Sequence, residues 1–435
     1  MNPILIGMTA MIFLLALSAI GVPVGIAMGV VALTGLWWVA GPSMALITLK
    51  TLPYALGTSY TLVVVPMFIL MGLVVSSAGI VTDLYNFIHR WFSLLRGGLL
   101  MVTTVASAAF GAVSGSSAVN AAVFTRIALP EMVRHGYKAG VGAAAIGAAG
   151  TLASLIPPSI TVVIYAVVTG QSIGRLLLAG LFPGILTTVV YVAGIAVSVR
   201  LLKDWAPAPS ARYGWKKRFS GLQRLWPVFV LFVLVVGGIY MGWTPPSAAG
   251  GVGAASAILI VLLQRRIGLS ILWDCLNRTI EISAVLFLIV VGGMLFSRFL
   301  TVAGFIPAVA ELVFQIGLTK QAFLLSVVVL FLFLGMFMDT ISMLVVTMPF
   351  LDPIAESLGI NPILFAVIIL KLLEIAAVSP PFGLNLFTVL AASDEPIPTG
   401  ELYRSFIPFI VFDLITIALL LAFPAIATWL PEHMM

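Results

Sequence analysis

Charge is scarce in this chain: of 435 residues only 8% are charged, while 62% are hydrophobic. An ordinary soluble domain carries about a quarter charged residues, so a water-soluble fold is excluded. Cysteine is nearly absent, and with Cys275 alone neither an intrachain disulfide nor a Cys-rich metal site can form. Histidine occurs three times, as His89, His135 and His433. The Gly/Ser-rich run from Gly111 to Ser117 would need a histidine base at membrane depth to act as an intramembrane serine protease. His89 and His135 instead lie in charged connections and His433 in the tail. A phosphate-binding GxxxxGK[ST] loop is also missing, so this chain does not draw energy from ATP. The stretch GVGAAAIG at 140–147 lacks the spacing and the strand setting of a dinucleotide site, and helix packing accounts for it.

What the chain does have is apolar length. A bilayer span needs about 20 mostly apolar residues, and such stretches occur at 4–20, 61–80, 176–199, 226–243 and 282–300, among others. Ten or more membrane-embedded helical segments are expected. The first, which has no basic leader region or small-residue cleavage site, reads as a retained span. Lys and Arg outnumber Asp and Glu by 21 to 15. In a membrane protein that excess mostly sets orientation, so it points to the lipid bilayer and not to nucleic acid as partner.

Several rare chain breakers recur at an offset of roughly 225 residues. Ser77-Ala78-Gly79-Ile80 is echoed by Val302-Ala303-Gly304-Phe305, Gly111 by Gly335, and Pro157-Pro158 by Pro380-Pro381. Spacings agree as well: Gly111 to Pro157 is 46 positions and Gly335 to Pro380 is 45. The halves differ in loop charge. Connections at 81–98 and 125–139 carry Arg90, Arg96, Arg126, Arg134 and Lys138, whereas their counterparts at 306–320 and 349–362 carry only Lys320. Cytoplasmic loops collect Lys and Arg, so corresponding loops are expected on opposite sides. That describes an inverted repeat, with residues 1–200 and 226–435 as its two halves. The basic stretch 201–225 between them reads as a cytoplasmic connector, with Lys203, Arg212, Lys216, Lys217, Arg218 and Arg224 against Asp204. An odd number of crossings per half puts both termini on the periplasmic side.

Unpaired backbone does not survive in hydrocarbon unless it is buried in protein or lines a cavity, which makes four interruptions informative. Two look re-entrant: a first hairpin near 108–122, AAFGAVSGSSAVNAA, and a second near 334–348, opening LGMFMDTISM. Two are double-proline breaks in helices, SLIPPSIT at 154–161 and AVSPPFGLNLF at 377–387. Gly111, Gly115 and Gly335 permit turns, and Ser114, Ser116, Ser117, Asn120, Asp339 and Thr340 offer oxygens without fixed positive charge. Each proline removes an N–H and obstructs the carbonyl four residues back, so carbonyls near Ala153, Ile156, Ala376 and Ser379 are released. Such carbonyls suit a hard monovalent cation, and half-helix N-termini suit an anion. The competing account is kinked helices packed through small residues, with hydroxyls bonded to their own backbone. Four breaks paired by a repeat favour a transport site.

Asp339 lies in an apolar context where an acid costs about 2.5–3.5 kcal/mol on insertion scales. It either serves ion, substrate or proton, or caps the turn by accepting N–H bonds; both roles stay open. Lys371 and Glu374, three apart on one helix, read as a structural pair. Arg298, Glu281 and Asp413 read as anchors of packing or of an interface.

At these same breaks the chain resembles the large membrane subunit of TRAP (tripartite ATP-independent periplasmic) transporters, of the ion transporter superfamily. The motifs are PMFILMG at 66–72, FGAVSGSSAVNAA, LPEMVRHGY at 129–137, IPPSI, YAVVTGQSIGRLLLAGLFPGI, GMFMD and SPPFGLNLF, in order over nearly the whole chain. The resemblance implies an all-α polytopic membrane protein of the inverted-repeat elevator type, with two re-entrant hairpins and two broken helices. It further implies sodium ions as coupling ions, a small four-helix membrane subunit and a periplasmic substrate-binding protein that delivers an organic acid. Carried over by motif, one sodium site would use Gly111, Ser114, Ala153, Ile156 and Pro157, and a second Gly335, Ala376, Ser379 and Phe382. Ala153 and Ala376 stand where the family commonly has glycine. Candidate substrate or coupling groups are Ser116, Ser117, Asn120, Asp339, Thr340 and Asn385.

The expected function is therefore sodium-coupled uptake of a small carboxylate across the bacterial inner membrane, with no enzymatic activity. Two rivals remain: a dicarboxylate or citrate symporter that works without a binding protein, and a non-transporting membrane scaffold subunit.

Overall fold

A computed structural model describes residues 2–207, 214–379 and 383–434. The described residues form helices and no strand. In the first half these are α1 (Pro3–Ala19), α2 (Val24–Gly57), α3 (Val64–Ser77), α4 (Ile80–Phe92), α5 (Gly98–Ser114), α6 (Ser117–Arg134), α7 (Ala139–Thr151), α8 (Ile160–Thr169) and α9 (Ile173–Leu201). The short α10 (Trp215–Phe219) precedes α11 (Trp226–Phe232), which continues through a π turn into α12 (Gly238–Tyr240). Then follow α13 (Pro246–Leu263), α14 (Leu269–Val302), α15 (Phe305–Gln315), α16 (Lys320–Leu334), α17 (Thr340–Ser357), α18 (Pro362–Val378), α19 (Leu384–Ala392), α20 (Thr399–Ala422) and α21 (Ala425–Met434). Among the described residues seven helical stretches are long and apolar enough to cross a membrane: Val24–Gly57, Tyr60–Ser77, Ile173–Leu201, Trp215–Tyr240, Pro246–Leu263, Leu269–Val302 and Thr399–Ala422.

The stretch at 81–98, expected as a connection, is mostly helix. Ile80, Val81, Leu84, Tyr85 and Ile88 recur at helical spacing and are all buried, so α4 lays one apolar face on the bundle. Gly79 precedes it in the left-handed region (φ 71°), and Gly304 precedes α15 likewise (φ 73°); the duplicated Ala-Gly pair thus makes the same turn twice. The stretch at 125–139 is likewise helical as far as Arg134. Asp83 on α4 holds Arg266 at 2.7 Å, tying the start of α4 to the turn before α14.

Close helix crossings rest on small residues. In α2 and α14 a Cβ placed on Gly292 would sit 2.1 Å from the Gly25 carbonyl oxygen, so only glycine lets these two 34-residue helices meet there. In the same way Gly180 of α9 lies against the Leu155 carbonyl and Gly184 against Ile156. That contact brings α9 flush with the interrupted chain between α7 and α8.

The expected pair of Lys371 and Glu374 exists, and the fold enlarges it. Lys371 Nζ bonds Glu374 Oε2 and also Asp413 Oδ1 of α20 at 2.6 Å, while Tyr191 of α9 donates its hydroxyl to Asp413 Oδ2 at 2.9 Å. Lys371, Glu374, Asp413 and Tyr191 are all fully buried. Three helices are therefore joined by one ionic knot in a dry interior, where removing a partner leaves an uncompensated charge. Lys371→Met sets two carboxylates together without their cation, with an expected loss of about 3–5 kcal/mol. Thermal unfolding in detergent measures this, and an unchanged midpoint would mean that water reaches the knot.

Candidate functional site

The first hairpin turns at Gly115, whose φ of 61° and N–H bond to the Gly111 carbonyl (3.0 Å) close α5. A side chain at Gly115 would strike the Pro158 carbonyl at 2.5 Å. The hairpin tip thus sits directly on the double-proline break, and the Ile160 N–H donates to the Gly115 carbonyl at 3.0 Å to hold it there. Gly111 meets Ala153 in the same contact, its ideal Cβ position lying 3.0 Å from the Ala153 Cα. Pro157 and Pro158 have no N–H, so the Ala153 and Ser154 carbonyls lack their donors four residues on. The Ser159 hydroxyl replaces one of these by donating to the Ser154 carbonyl. The Ser114 hydroxyl, 1% exposed, has no hydrogen-bond partner among the described residues. Burying a hydroxyl unpaired costs on the order of 1–3 kcal/mol.

The second hairpin repeats the arrangement. Gly335 packs on Ala376, with its ideal Cβ position 2.6 Å from the Ala376 Cβ. At both contacts the alanine, Ala153 or Ala376, is accommodated by glycine across it. The Ala376 carbonyl accepts the Ser379 N–H at 3.2 Å, and the Ser379 hydroxyl turns back onto the Ile375 carbonyl. Phe382 lies outside the described residues, as do Pro380 and Pro381. Asp339 is the N-cap of α17: one carboxylate oxygen accepts the Ile341 and Ser342 N–H groups at 3.1 Å each, and the other takes the Ser342 hydroxyl. The capping role of Asp339 is thus visible. Beside it the Thr340 hydroxyl, 6% exposed, has no partner among the described residues.

The two hairpin tips and the helices that follow the breaks meet around one cavity of about 520 Å³. Its wall takes Ser116 and Ser117 from the start of α6, Ile160 and Thr161 from α8, Asp339 and Thr340 from α17, Leu384 from α19, and the face of α14 from Glu281 to Ile289. Four helix N-termini therefore abut one space. Those of α6, α8 and α19 have no acidic residue in the first turn. Each N-terminus carries roughly half a positive charge, set against the carboxylates of Asp339 and Glu281 on a wall that, among the described residues, has no Lys, Arg or His. Ser116, Ser117, Asp339 and Thr340 line this space.

Asn120 and Asn385 do not line it. Asn120 is fully buried between the hairpin arms, donating to the Ser107 carbonyl at 2.9 Å and accepting from the Ser107 hydroxyl at 2.8 Å. Asn385, also fully buried, donates to the Gly147 carbonyl at 3.1 Å and so ties α19 to α7. Glu281 had read as a packing anchor, yet it is exposed on the cavity wall. Sequence alone gave no sign of this, because the lining face of α14 is apolar apart from that one side chain.

A family model described as tripartite ATP-independent periplasmic transporter, DctM component, matches residues 11–426. The chain is 34% identical over 374 residues to a C4-dicarboxylate TRAP transporter large permease protein of Pseudomonas aeruginosa, covering 86% of each chain. It is 33% identical to an ectoine/5-hydroxyectoine TRAP large permease of Ruegeria pomeroyi, again over 86% of each. A sialic acid TRAP large permease of Vibrio cholerae is 30% identical, over 86% of this chain and 87% of the other. Among solved structures, the YdaH transporter of Alcanivorax borkumensis shares the fold at TM-score 0.61 and 14% identity, over 99% of this chain and 98% of that one.

Asp339→Ala uncovers two N–H groups at the tip of the second hairpin, with an expected loss of about 0.5–2 kcal/mol of local stability, whereas Asp339→Asn retains a capping oxygen. Hydrogen exchange at residues 340–343 reports the difference. Equal protection in the two variants would remove capping as the role of this carboxylate.

Proposed function

The chain belongs to the tripartite ATP-independent periplasmic transporter family as its DctM component, a multi-pass inner-membrane permease, and from that premise we propose that it couples sodium entry to uptake of a small organic acid. One observation carries this reading. Two hairpin tips and the helices that follow the interruptions converge on a single cavity lined by hydroxyls and helix N-termini, and the first hairpin also packs on the chain whose carbonyls Pro157 and Pro158 release.

The oxygens fit the two solutes differently. Near each interruption, a small hard cation is matched by carbonyls at Gly111, Ala153, Ile156 and Pro157 with the Ser114 hydroxyl, and by carbonyls at Gly335, Ala376 and Ser379. In the shared cavity, N–H groups at the starts of α6 and α8 receive a carboxylate. Cation binding between hairpin and interrupted helix would hold each tip against its partner and so complete the carboxylate site, which links the two solutes.

The recurrence of the glycine turn, the Gly-to-Ala contact and the interruption supports reading the chain as two inverted repeats joined by the basic connector. The periplasmic placement of both termini rests on that reading. In such an arrangement the hairpins and interrupted helices move as one body past the remaining helices. A small four-helix membrane subunit adds to the stationary part, and a periplasmic binding protein brings the substrate. Relatives whose names specify C4-dicarboxylate, ectoine and sialic acid are consistent with an organic acid as cargo.

Uptake into proteoliposomes containing the chain, its small subunit and its binding protein is expected to require an inward sodium gradient and both partner proteins. Indifference to all three would end this proposal. Ser114→Ala is expected to raise the sodium concentration for half-maximal uptake about tenfold, equivalent to about 1.4 kcal/mol, while leaving the yield of folded protein unchanged. A fall in yield at unaltered sodium dependence would point to a packing role for Ser114.

A further inference from the structure

The charge pattern of the cavity narrows the class of cargo, an argument that rests on the carboxylate reading above. Among the described residues its wall holds two acids and no basic side chain. The two acids are not equivalent. Both oxygens of Asp339 are engaged within its own turn. Glu281, exposed on the cavity wall, has no hydrogen bond or ion pair among the described residues. Arg278, one turn earlier on α14, is exposed as well but does not line the cavity. Thr340, more than nine-tenths buried and unpartnered, adds a hydroxyl to the same wall.

We infer that the cargo is a carboxylate that also bears a positive group, with its carboxylate at the helix N-termini and its cationic end at Glu281. A dicarboxylate of similar size would turn its second carboxylate toward Glu281, where like charges in a partly desolvated space repel. A zwitterion satisfies both ends. Glu281 is then a specificity-determining residue that selects against doubly anionic acids.

Cysteine labelling tests this without knowledge of the natural cargo. With Cys275→Ser as background and Ser117→Cys as reporter on the cavity wall, the labelling rates of a trimethylammonium and a sulfonate methanethiosulfonate are compared. Glu281→Gln is expected to lower the cation-to-anion rate ratio about tenfold, and Glu281→Asp to keep it. In sodium, at least one of glycine betaine, 4-aminobutyrate and ectoine is expected to slow labelling more than succinate does. A ratio unaffected by Glu281→Gln overturns the inference, as does protection by succinate equal to or greater than that by every zwitterion, including none at all. Either failure leaves sodium-coupled carboxylate uptake standing, since that is read from flux in proteoliposomes.

Discussion

Hydrocarbon offers no hydrogen bonds, so every backbone N–H and C=O in the membrane must find its partner within the protein. The architecture follows from that constraint. A continuous helix such as α14 meets it internally. Where the chain is interrupted it must be met by another segment: the Gly115 carbonyl takes the Ile160 N–H, and the Ser159 hydroxyl takes the Ser154 carbonyl. The first interruption is therefore pressed against a hairpin tip, beside which the Ser114 hydroxyl is left without a partner among the described residues. The proposed transport site lies where the bilayer's demand is satisfied across elements and not along one.

The close approach this needs is supplied by glycine. Gly111 against Ala153 and Gly335 against Ala376 are the same contact made twice, each leaving no room for a side chain on the hairpin. Gly115 adds a positive φ that few other residues adopt without strain. By contrast, the ionic knot of Lys371, Glu374 and Asp413 serves rigidity. It lies away from the cavity and locks α18 to α20 and α9, so that the interrupted helix beside it has a fixed base.

Much of this was legible in the residues. Low charge and long apolar runs established a polytopic helical protein, because period and length are local properties. The breakers Gly111, Gly335, Pro157-Pro158 and Pro380-Pro381 stood out because glycine and proline act on their own backbone. Lys371 and Glu374, three apart, announced a pair because helical geometry brings such positions together. The connection at 81–98 was less legible: its apolar face recurs at helical spacing, yet its charges read as loop until packing decided.

Sequence by itself determined that the chain spans a membrane, where it is broken, and that the breaks come in pairs, since each of these follows from the chemistry of neighbouring residues. Only the tertiary structure decided which polar atoms face one another. It withdrew Asn120 and Asn385 into bracing bonds, revealed Asp339 as a helix cap, added Asp413 and Tyr191 to the buried knot and turned Glu281 into the cavity. Those assignments depend on which helix lies opposite, and in a chain this uniformly apolar many faces could serve as partners. The choice among them is made by close packing, which no local pattern encodes.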